Sequence, residues 1–199
     1  MAQGAAAQGD AAAGEPLTAV CAACHGADGN SLAPIYPSLA GLGEKYLTKQ
    51  LQDIKSGERA IPEMTGLLAN MSDQDLANVA AFYDSKPAAL TGAKEMTVRV
   101  NSGADVDALR LGEQLYRYGN PESGVAACTG CHSPTGQGND PAGYPRLGGQ
   151  HADYVVKQLE SFRDGVRVND GNEQTMRGVA KHLSNAEIQA VANYIAGLN

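Results

Sequence analysis

The stretch CAACHGADG, Cys21–Gly29, places two thiols and an imidazole within five residues, and CTGCHSPTG, Cys128–Gly136, repeats the arrangement. All four cysteines of the 199-residue chain belong to these two CxxCH motifs, so none remains for a separate disulfide framework. A CxxC pair can serve as a redox dithiol, as half of a zinc site or as an attachment point for c-type haem. Each role makes a different demand on the residues around the pair.

The surroundings of the motifs disfavour the first two roles. A thioredoxin-like dithiol lies between a strand and a helix, whereas AAAGEPLTAVCAACH, Ala11–His25, is rich in alanine and has no β-branched run, which favours a helix. A zinc ribbon needs its second CxxC about 15 to 20 residues after the first. Here Cys24 and Cys128 are 104 positions apart, so one shared zinc site is not expected.

Covalent haem is the remaining role. Residues three and four positions apart on a helical turn share a face, so Cys21, Cys24 and His25 are expected to project together. Two thioethers can then hold the porphyrin while the imidazole reaches the iron from the same side. The sequence therefore predicts two covalently bound haem c groups, attached through Cys21, Cys24, Cys128 and Cys131, with His25 and His132 as iron ligands.

The two halves of the chain are copies of one domain. YPSLAGLGEKYLTKQL from Tyr36 aligns with YPRLGGQHADYVVKQL from Tyr144 at an offset of 108 positions. EMTGLLANMSDQDLANVAAFY from Glu63 aligns with TMRGVAKHLSNAEIQAVANYI from Thr175 at an offset of 112. Between the copies, a proline and two glycines interrupt the helical periodicity. The predicted organisation is a disordered Ala/Gly/Gln-rich segment at 1–10, an N-terminal domain at 11–86, a linker at 87–104 and a C-terminal domain at 105–199.

The repeat also selects a second axial ligand for each iron. Met64 aligns with Met176, whereas Met71 aligns with Leu183, so Met71 is expected to fill the core. Met64 and Met176 are therefore the predicted sixth ligands. A thioether is a soft, weak-field ligand that favours reduced iron, and it closes the sixth position to small molecules.

Two further histidines are weaker candidates for the iron. His182 aligns with Asn70, which cannot replace an imidazole ligand. His182 is therefore expected at the surface, or in contact with an iron ligand without binding the iron itself. His151 aligns with Gly43 at the start of a predicted helix, where a structural role is expected.

Taken together, these motifs resemble the cytochrome c4 family of dihaem periplasmic electron carriers. The resemblance covers nearly the whole chain after the first ten residues. It rests on both CxxCH sites, both YPxL segments, YLTKQL and YVVKQL, MTG and MRG, and the MSD and LSN that open each final helix. It implies an all-α fold of two tandem class I cytochrome c domains. In each domain one covalent c-type haem would lie between an N-terminal, a middle and a C-terminal helix, with the methionine on a loop before the last helix.

The resemblance to cytochromes c also implies contacts that support the haem. The carbonyls of Pro37 and Pro145 would accept the N–H of the axial imidazoles. The side chains of Leu39 and Leu147 would pack on the ring. One departure is the first methionine loop, SGERAIPEMTG from Ser56, which is shorter than its counterpart DGVRVNDGNEQTMRG.

Further expectations come from the residues themselves. Gly14 and Gly112 would let the first helix of each domain cross closely over the last one, near Tyr83 and Tyr194. A partly buried haem propionate needs a donor or a countercharge. The candidates for that role occupy equivalent places in the two copies, namely Arg59, Arg167, Tyr46, Tyr154, Lys49 and Lys157.

The charge of the chain restricts its partners. A net charge of −7 argues against nucleic acid and against anionic membrane surfaces, which both need basic patches. No run approaches the roughly 20 apolar residues of a membrane span. Residues 1–95 carry 6 basic and 11 acidic side chains and residues 96–199 carry 9 and 11, so the N-terminal half would be attracted to a basic partner.

The function expected from these features is that of a soluble electron carrier with no catalytic residues. Electrons would pass singly between redox protein partners, such as a membrane-bound quinol-oxidising complex and a terminal oxidase. The alternatives are an electron-entry subunit of a larger oxidoreductase, or a dihaem peroxidase-like or thiosulfate-oxidising enzyme with one open iron. Because both halves keep a methionine at the matched place, the enzyme is disfavoured. Bacterial c-type haem is attached outside the cytoplasm, so a periplasmic location is expected, although MAQGAAAQGD lacks the features of a signal peptide.

Overall fold

The computed structural model describes residues 8–199. The predicted disorder of residues 1–10 therefore falls mostly outside the described part of the chain. Gly9 and Asp10, however, are held in place, which corrects the expectation for them. The Gly9 N–H donates to Glu44 Oε1 at 2.7 Å, and the Asp10 N–H donates to Asn78 Oδ1 at 2.9 Å.

The fold is mostly helical, as predicted. The N-terminal half contains α1 (Ala11–Gly14), a 3₁₀ turn (Glu15–Thr18), α2 (Ala22–His25), α3 (Glu44–Ser56), α4 (Pro62–Leu68) and α5 (Asp73–Asp84). An antiparallel pair of strands follows, β1 (Thr97–Arg99) and β2 (Asp105–Asp107). The C-terminal half contains α6 (Ala108–Tyr118), α7 (Thr129–His132), a 3₁₀ turn (Asp140–Ala142), α8 (Ala152–Arg163), α9 (Thr175–Ala180) and α10 (Asn185–Gly197).

The first predicted helix, residues 11–25, is divided into three pieces. Pro16 lies in the 3₁₀ turn after α1, where it cannot supply an N–H to a continuous α-helix. The corresponding helix of the second copy, α6, has no proline and runs unbroken for 11 residues.

Close helix crossings hold each half together, and the prediction for Gly14 and Gly112 is confirmed. A Cβ on Gly14 would lie 2.0 Å from the Asn78 carbonyl oxygen on α5, and one on Gly112 would lie 2.2 Å from the Ala190 carbonyl oxygen on α10. Both are impossible contacts, so only glycine allows these approaches. The aromatic neighbour of Gly14 is Phe82 rather than the expected Tyr83, which lies one position further along α5.

The predicted linker, residues 87–104, packs along the C-terminal half. The Gly92 N–H donates to the Ala196 carbonyl at 2.9 Å, and Lys94 and Asn193 exchange two hydrogen bonds of 2.8 Å. Val98 on β1 is buried in a small core with Ala190. The segment therefore contributes a strand and apolar contacts in addition to connecting the halves.

The two halves also contact each other through side chains. Gln150 exchanges two 2.9 Å hydrogen bonds with the backbone of Ser38. His151, at the start of α8 as expected, donates from Nε2 to the Ser31 carbonyl at 2.7 Å. The Lys45 N–H of the N-terminal half also donates to Asp140 Oδ1 of the C-terminal half, at 2.9 Å. Within residues 8–199, no helix is both long and apolar enough to cross a membrane.

Candidate haem sites

Each CxxCH motif forms a single helical turn. Cys21 caps α2 and His25 ends it, with the His25 N–H donating to the Cys21 carbonyl at 3.0 Å. Cys128 and His132 have the same relation on α7, at 2.9 Å. Both imidazoles are buried, whereas the cysteines are half-buried or exposed and none forms a disulfide. The motif therefore presents its residues on one turn, as the spacing predicts.

A proline carbonyl orients each imidazole. His25 Nδ1 donates to the Pro37 carbonyl at 2.9 Å, and His132 Nδ1 donates to the Pro145 carbonyl at 2.9 Å. The predicted role of the two prolines is confirmed. Because Nδ1 carries the proton, Nε2 keeps the lone pair that a metal needs. Burial lowers the pKa of both histidines, which favours this neutral form.

The thiols are unsuited to the alternative roles. Burial raises the pKa of Cys21, and it raises the pKa of Cys128 to about 11. A redox dithiol depends on a lowered thiol pKa, so these cysteines differ from a thioredoxin-like pair. Within residues 8–199, no three His, Cys, Asp or Glu side chains are grouped to hold a metal ion.

Apolar side chains surround the first cysteine of each CxxCH motif. Cys21 and Leu39 pack against the core that includes Val79 and Tyr83 of α5. Cys128 and Leu147 pack against the matching core of the C-terminal half. The Tyr83 hydroxyl lies close to the Cys21 thiol and is, among residues 8–199, the one buried side-chain polar atom without a partner. An apolar wall beside two thiols suits a covalently held porphyrin.

The methionines of the two halves occupy equivalent short helices. Met64 is half-buried in α4 beside Ile54, Leu68 and Leu76. Met176 is half-buried in α9. The resemblance implied that each methionine lies on a loop, whereas in the structure both lie in short helices. The helix α4 begins at Pro62, a residue that suits the first turn of a helix.

The two alternative candidates for an iron ligand, Met71 and His182, lie where the sequence predicts them. Met71 packs against two core clusters of the N-terminal half. His182 is exposed, and its ring is the nearest neighbour of Gly124. These positions agree with a core role for Met71 and a surface role for His182.

A polar cluster lies between the halves and has an approximate two-fold arrangement. Arg59 donates to Gln50 Oε1 at 2.8 Å, and across the interface to the Tyr154 hydroxyl and to Gln158 Oε1, both at 3.0 Å. In the reverse direction, Arg167 donates to Gln158 Oε1 at 2.7 Å, to Gln50 Oε1 at 2.8 Å and to the Tyr46 hydroxyl at 3.2 Å. We call Arg59, Arg167, Tyr46, Tyr154, Gln50 and Gln158 the interface cluster.

The interface cluster contains more positive charge than its own residues neutralise. Arg59 is buried, and within residues 8–199 neither it nor Arg167 forms an ion pair with a carboxylate. Burial alone would raise the pKa of Tyr46, but the positive charges of Arg167 and Arg59 lower it overall. A buried cation such as Arg59 calls for an anion. Haem propionates meet that requirement, so the cluster fits the predicted cofactor.

The two lysines considered for the propionates lie elsewhere. Lys49 forms an ion pair with Asp53 and donates to the Asn169 carbonyl at 3.0 Å, at the edge of the interface cluster. Lys157 is exposed on α8. Sequence reasoning missed Gln50 and Gln158, although both occur in the repeated KQL of the two copies. A polar residue shared by both copies within an apolar helix pattern was the available signal.

Two CxxCH turns with oriented imidazoles, each in its own helical domain, define a c-type cytochrome. The sequence model of the family Cytochrome c matches residues 11–85 and 111–199. Cytochrome c4 of Pseudomonas aeruginosa is 54% identical over 193 residues, which cover 97% of this chain and 90% of that protein. The crystal structure of reduced recombinant cytochrome c4 from Pseudomonas stutzeri has a TM-score of 0.88 at 50% identity, covering 96% of this chain and 100% of that one.

The chain belongs to the cytochrome c4 family. It binds two covalently attached haem c groups and is an electron carrier, not an enzyme. A more distant relative is the thiosulfate dehydrogenase electron acceptor of Stutzerimonas stutzeri, 38% identical over 184 residues, which cover 92% of this chain and 81% of that protein.

Proposed function

We propose that the protein is a periplasmic carrier in which each domain closes its iron with one histidine and one methionine. The domains are residues 11–86 and 105–199, joined by 87–104. Cys21 and Cys24 attach the first haem, and Cys128 and Cys131 attach the second. The axial pairs are His25 with Met64 and His132 with Met176.

The observation that carries this proposal is the equivalence of the two halves. Each has a buried imidazole whose Nδ1 is bonded to a proline carbonyl, and each has a half-buried methionine at the matched place. Haem iron supplies one-electron redox chemistry. The proline carbonyls orient the neutral imidazoles, and apolar side chains surround the cysteines that would form the thioethers. No proton has to be moved by a positioned acid or base, so an outer-sphere carrier needs nothing further.

The absorption spectrum of the reduced holoprotein with and without carbon monoxide tests the axial ligands. We expect no change, because both sixth positions are closed by a thioether. The variants Met64→Ala and Met176→Ala should each make one haem respond, while Met71→Leu should leave both unresponsive. A response of either haem in the unsubstituted protein would contradict the proposal and favour an enzyme with one open iron.

The partners we propose are respiratory redox proteins, a quinol-oxidising complex as donor and a terminal oxidase as acceptor. The excess of acidic residues in the N-terminal half supports docking on a basic surface. Electron transfer to the purified oxidase should slow as ionic strength rises, because salt screens such attraction. A rate independent of salt would contradict this docking mode. Elution as part of a larger complex would favour the alternative of an oxidoreductase subunit.

A second candidate donor is a thiosulfate dehydrogenase. The observation that favours it is the similarity to the thiosulfate dehydrogenase electron acceptor described above. Mixing the oxidised protein with thiosulfate and such an enzyme should reduce both haems within the turnover time of the enzyme. Reduction no faster than with thiosulfate alone would exclude this donor.

A further inference from the structure

The two methionine segments differ in length and in what holds them. Arg167 and Met176 are nine positions apart, whereas their counterparts Arg59 and Met64 are five apart. The C-terminal segment therefore has four additional residues before its methionine. In the structure, Asn169 of this longer segment is buried, and so is the side chain of Asp170.

Asp170 is bonded to the residue that follows Met176. Its side chain is 4% exposed, and its carboxylate accepts from Arg177 Nε at 2.7 Å and from the Arg177 backbone N–H at 2.8 Å. The same guanidinium donates to the Val168 carbonyl at 3.2 Å. The carboxylate therefore bonds both the side chain and the backbone of Arg177, and a charge-assisted pair of this kind restrains both of its ends. Asp170 thus restrains the first turn of α9, which carries Met176.

Asn169 bonds the same segment to the other domain. It is 3% exposed, and its Nδ2 donates to the Asp53 carboxylate and, at 2.9 Å, to Gln50 Oε1. Its carbonyl accepts from Lys49 Nζ at 3.0 Å. All three partners lie on α3 of the N-terminal domain. We call residues 169–170, with these contacts, the strap.

Among residues 8–199, the N-terminal domain has no equivalent of the strap. Thr65 is the counterpart of Arg177, and its hydroxyl donates only to the Ile61 carbonyl of its own turn, at 3.1 Å. In the described part of the chain, no ion pair involves a residue of α4. Met64 is therefore held by apolar packing, whereas the turn of Met176 is held by the Asp170–Arg177 ion pair and by the neighbouring domain.

We propose that the strap makes α3 of the N-terminal domain a positioning element for Met176 in the C-terminal domain. This inference rests on the proposed ligation of iron by Met176. An external ligand can enter only when the methionine turn moves away, and the strap opposes that motion. The Met176 bond to iron should therefore open more slowly than the Met64 bond, and α3 should control its rate from the other domain.

The test follows displacement of methionine by imidazole in the ferric holoprotein, through the loss of the sulfur-to-iron charge-transfer absorption. Two phases are expected, and Met64→Ala assigns them by removing one. Asp170→Asn should accelerate only the slow C-terminal phase, by about tenfold. Asp53→Ala, although it lies in the other domain, should accelerate the same phase. Glu58→Gln, an exposed change near the end of α3, should alter neither.

The outcomes separate this inference from the proposed function. If Asp170→Asn and Asp53→Ala leave the C-terminal phase at the rate of the unsubstituted protein, the strap does not position Met176. If Asp170→Asn fails to incorporate haem, Asn169→Ala supplies the same test without removing a charge. If the unsubstituted protein shows no sulfur-to-iron absorption from its C-terminal haem, the ligand assignment itself is wrong, whatever the variants do.

Discussion

At the scale of single residues, the two haem sites share a contact and differ in one tyrosine. The histidine-to-proline hydrogen bond is the same in both halves, at 2.9 Å. The buried tyrosine near the first cysteine of the CxxCH motif comes from different helices: Tyr83 lies on α5 and Tyr116 on α6. Tyr116 donates to the Ser133 carbonyl at 2.8 Å, whereas the Tyr83 hydroxyl has no partner in residues 8–199. The same side chain therefore contributes differently to the two domains.

This difference leads to a prediction for the pair of phenylalanine variants. Tyr116→Phe should lower the free energy of unfolding by about 1 kcal/mol, because it leaves the Ser133 carbonyl without its donor. Tyr83→Phe should leave that free energy unchanged or raise it slightly, because it removes a desolvated hydroxyl that forms no bond. Denaturant titrations of the two holoprotein variants provide the measurement. Equal losses for both would show that the Tyr83 hydroxyl has a partner in the holoprotein.

At the scale of elements, the helix starts were encoded locally and the helix contacts were not. The MSD and LSN segments predicted the starts of α5 and α10, and each serine is the N-cap of a capping box. The CxxCH turns are also encoded locally, because the spacing of their own residues predicts them. The break at Pro16 could have been predicted from the proline alone, but the alanine-rich composition suggested one helix.

Contacts between distant elements were the part that the sequence did not reveal. Gln150 and His151 bond the backbone of Ser38 and Ser31, more than 100 positions away, and nothing in either segment marks its partner. Backbone acceptors leave no residue-type signal, so such pairs are invisible in one sequence. The polar residues Gln50 and Gln158 could have been noticed through the repeat. Their joint contact with both arginines could not, because it depends on how the domains pack.

The capping box of α10 gives the prediction at this scale. Burial would raise the pKa of Glu187, but hydrogen bonds from Ser184 and from Asn120 Nδ2 at 2.9 Å lower it overall. Glu187→Ala should cost about 1 kcal/mol of unfolding free energy at neutral pH. Because the folded-state pKa is lowered, this stabilisation is complete above the ordinary carboxyl range and is lost as pH falls through the lowered value.

Unfolding of Glu187→Ala and of the unsubstituted protein should therefore be compared between neutral and acid pH, with the exposed Gln189→Ala on the same helix as control. The gap between the two proteins should narrow in acid, and the control should show no gap. A gap that stays constant with pH would mean that the ionised carboxylate is not what stabilises the start of α10.

At the scale of the whole molecule, the interface cluster is what makes the two domains one electrostatic unit. Arg59 and Arg167 each donate to glutamines of both domains. The charge of either arginine is therefore shared across the contact and does not belong to one domain. If the haem propionates neutralise this cluster, a change in either arginine acts on both irons.

That sharing leads to a prediction for the reduction potentials. Removing a buried positive charge stabilises the ferric form, so Arg59→Gln should lower the reduction potentials of both haems. For a one-electron couple, a shift of roughly 59 mV corresponds to a tenfold change in the redox equilibrium. Arg167→Gln should do the same, whereas the exposed Lys157→Gln should change neither. Potentiometric titration of the holoprotein separates the two haems. A shift confined to the haem of the substituted domain would show that each arginine serves its own domain, and the absence of any shift would place the propionates outside the cluster.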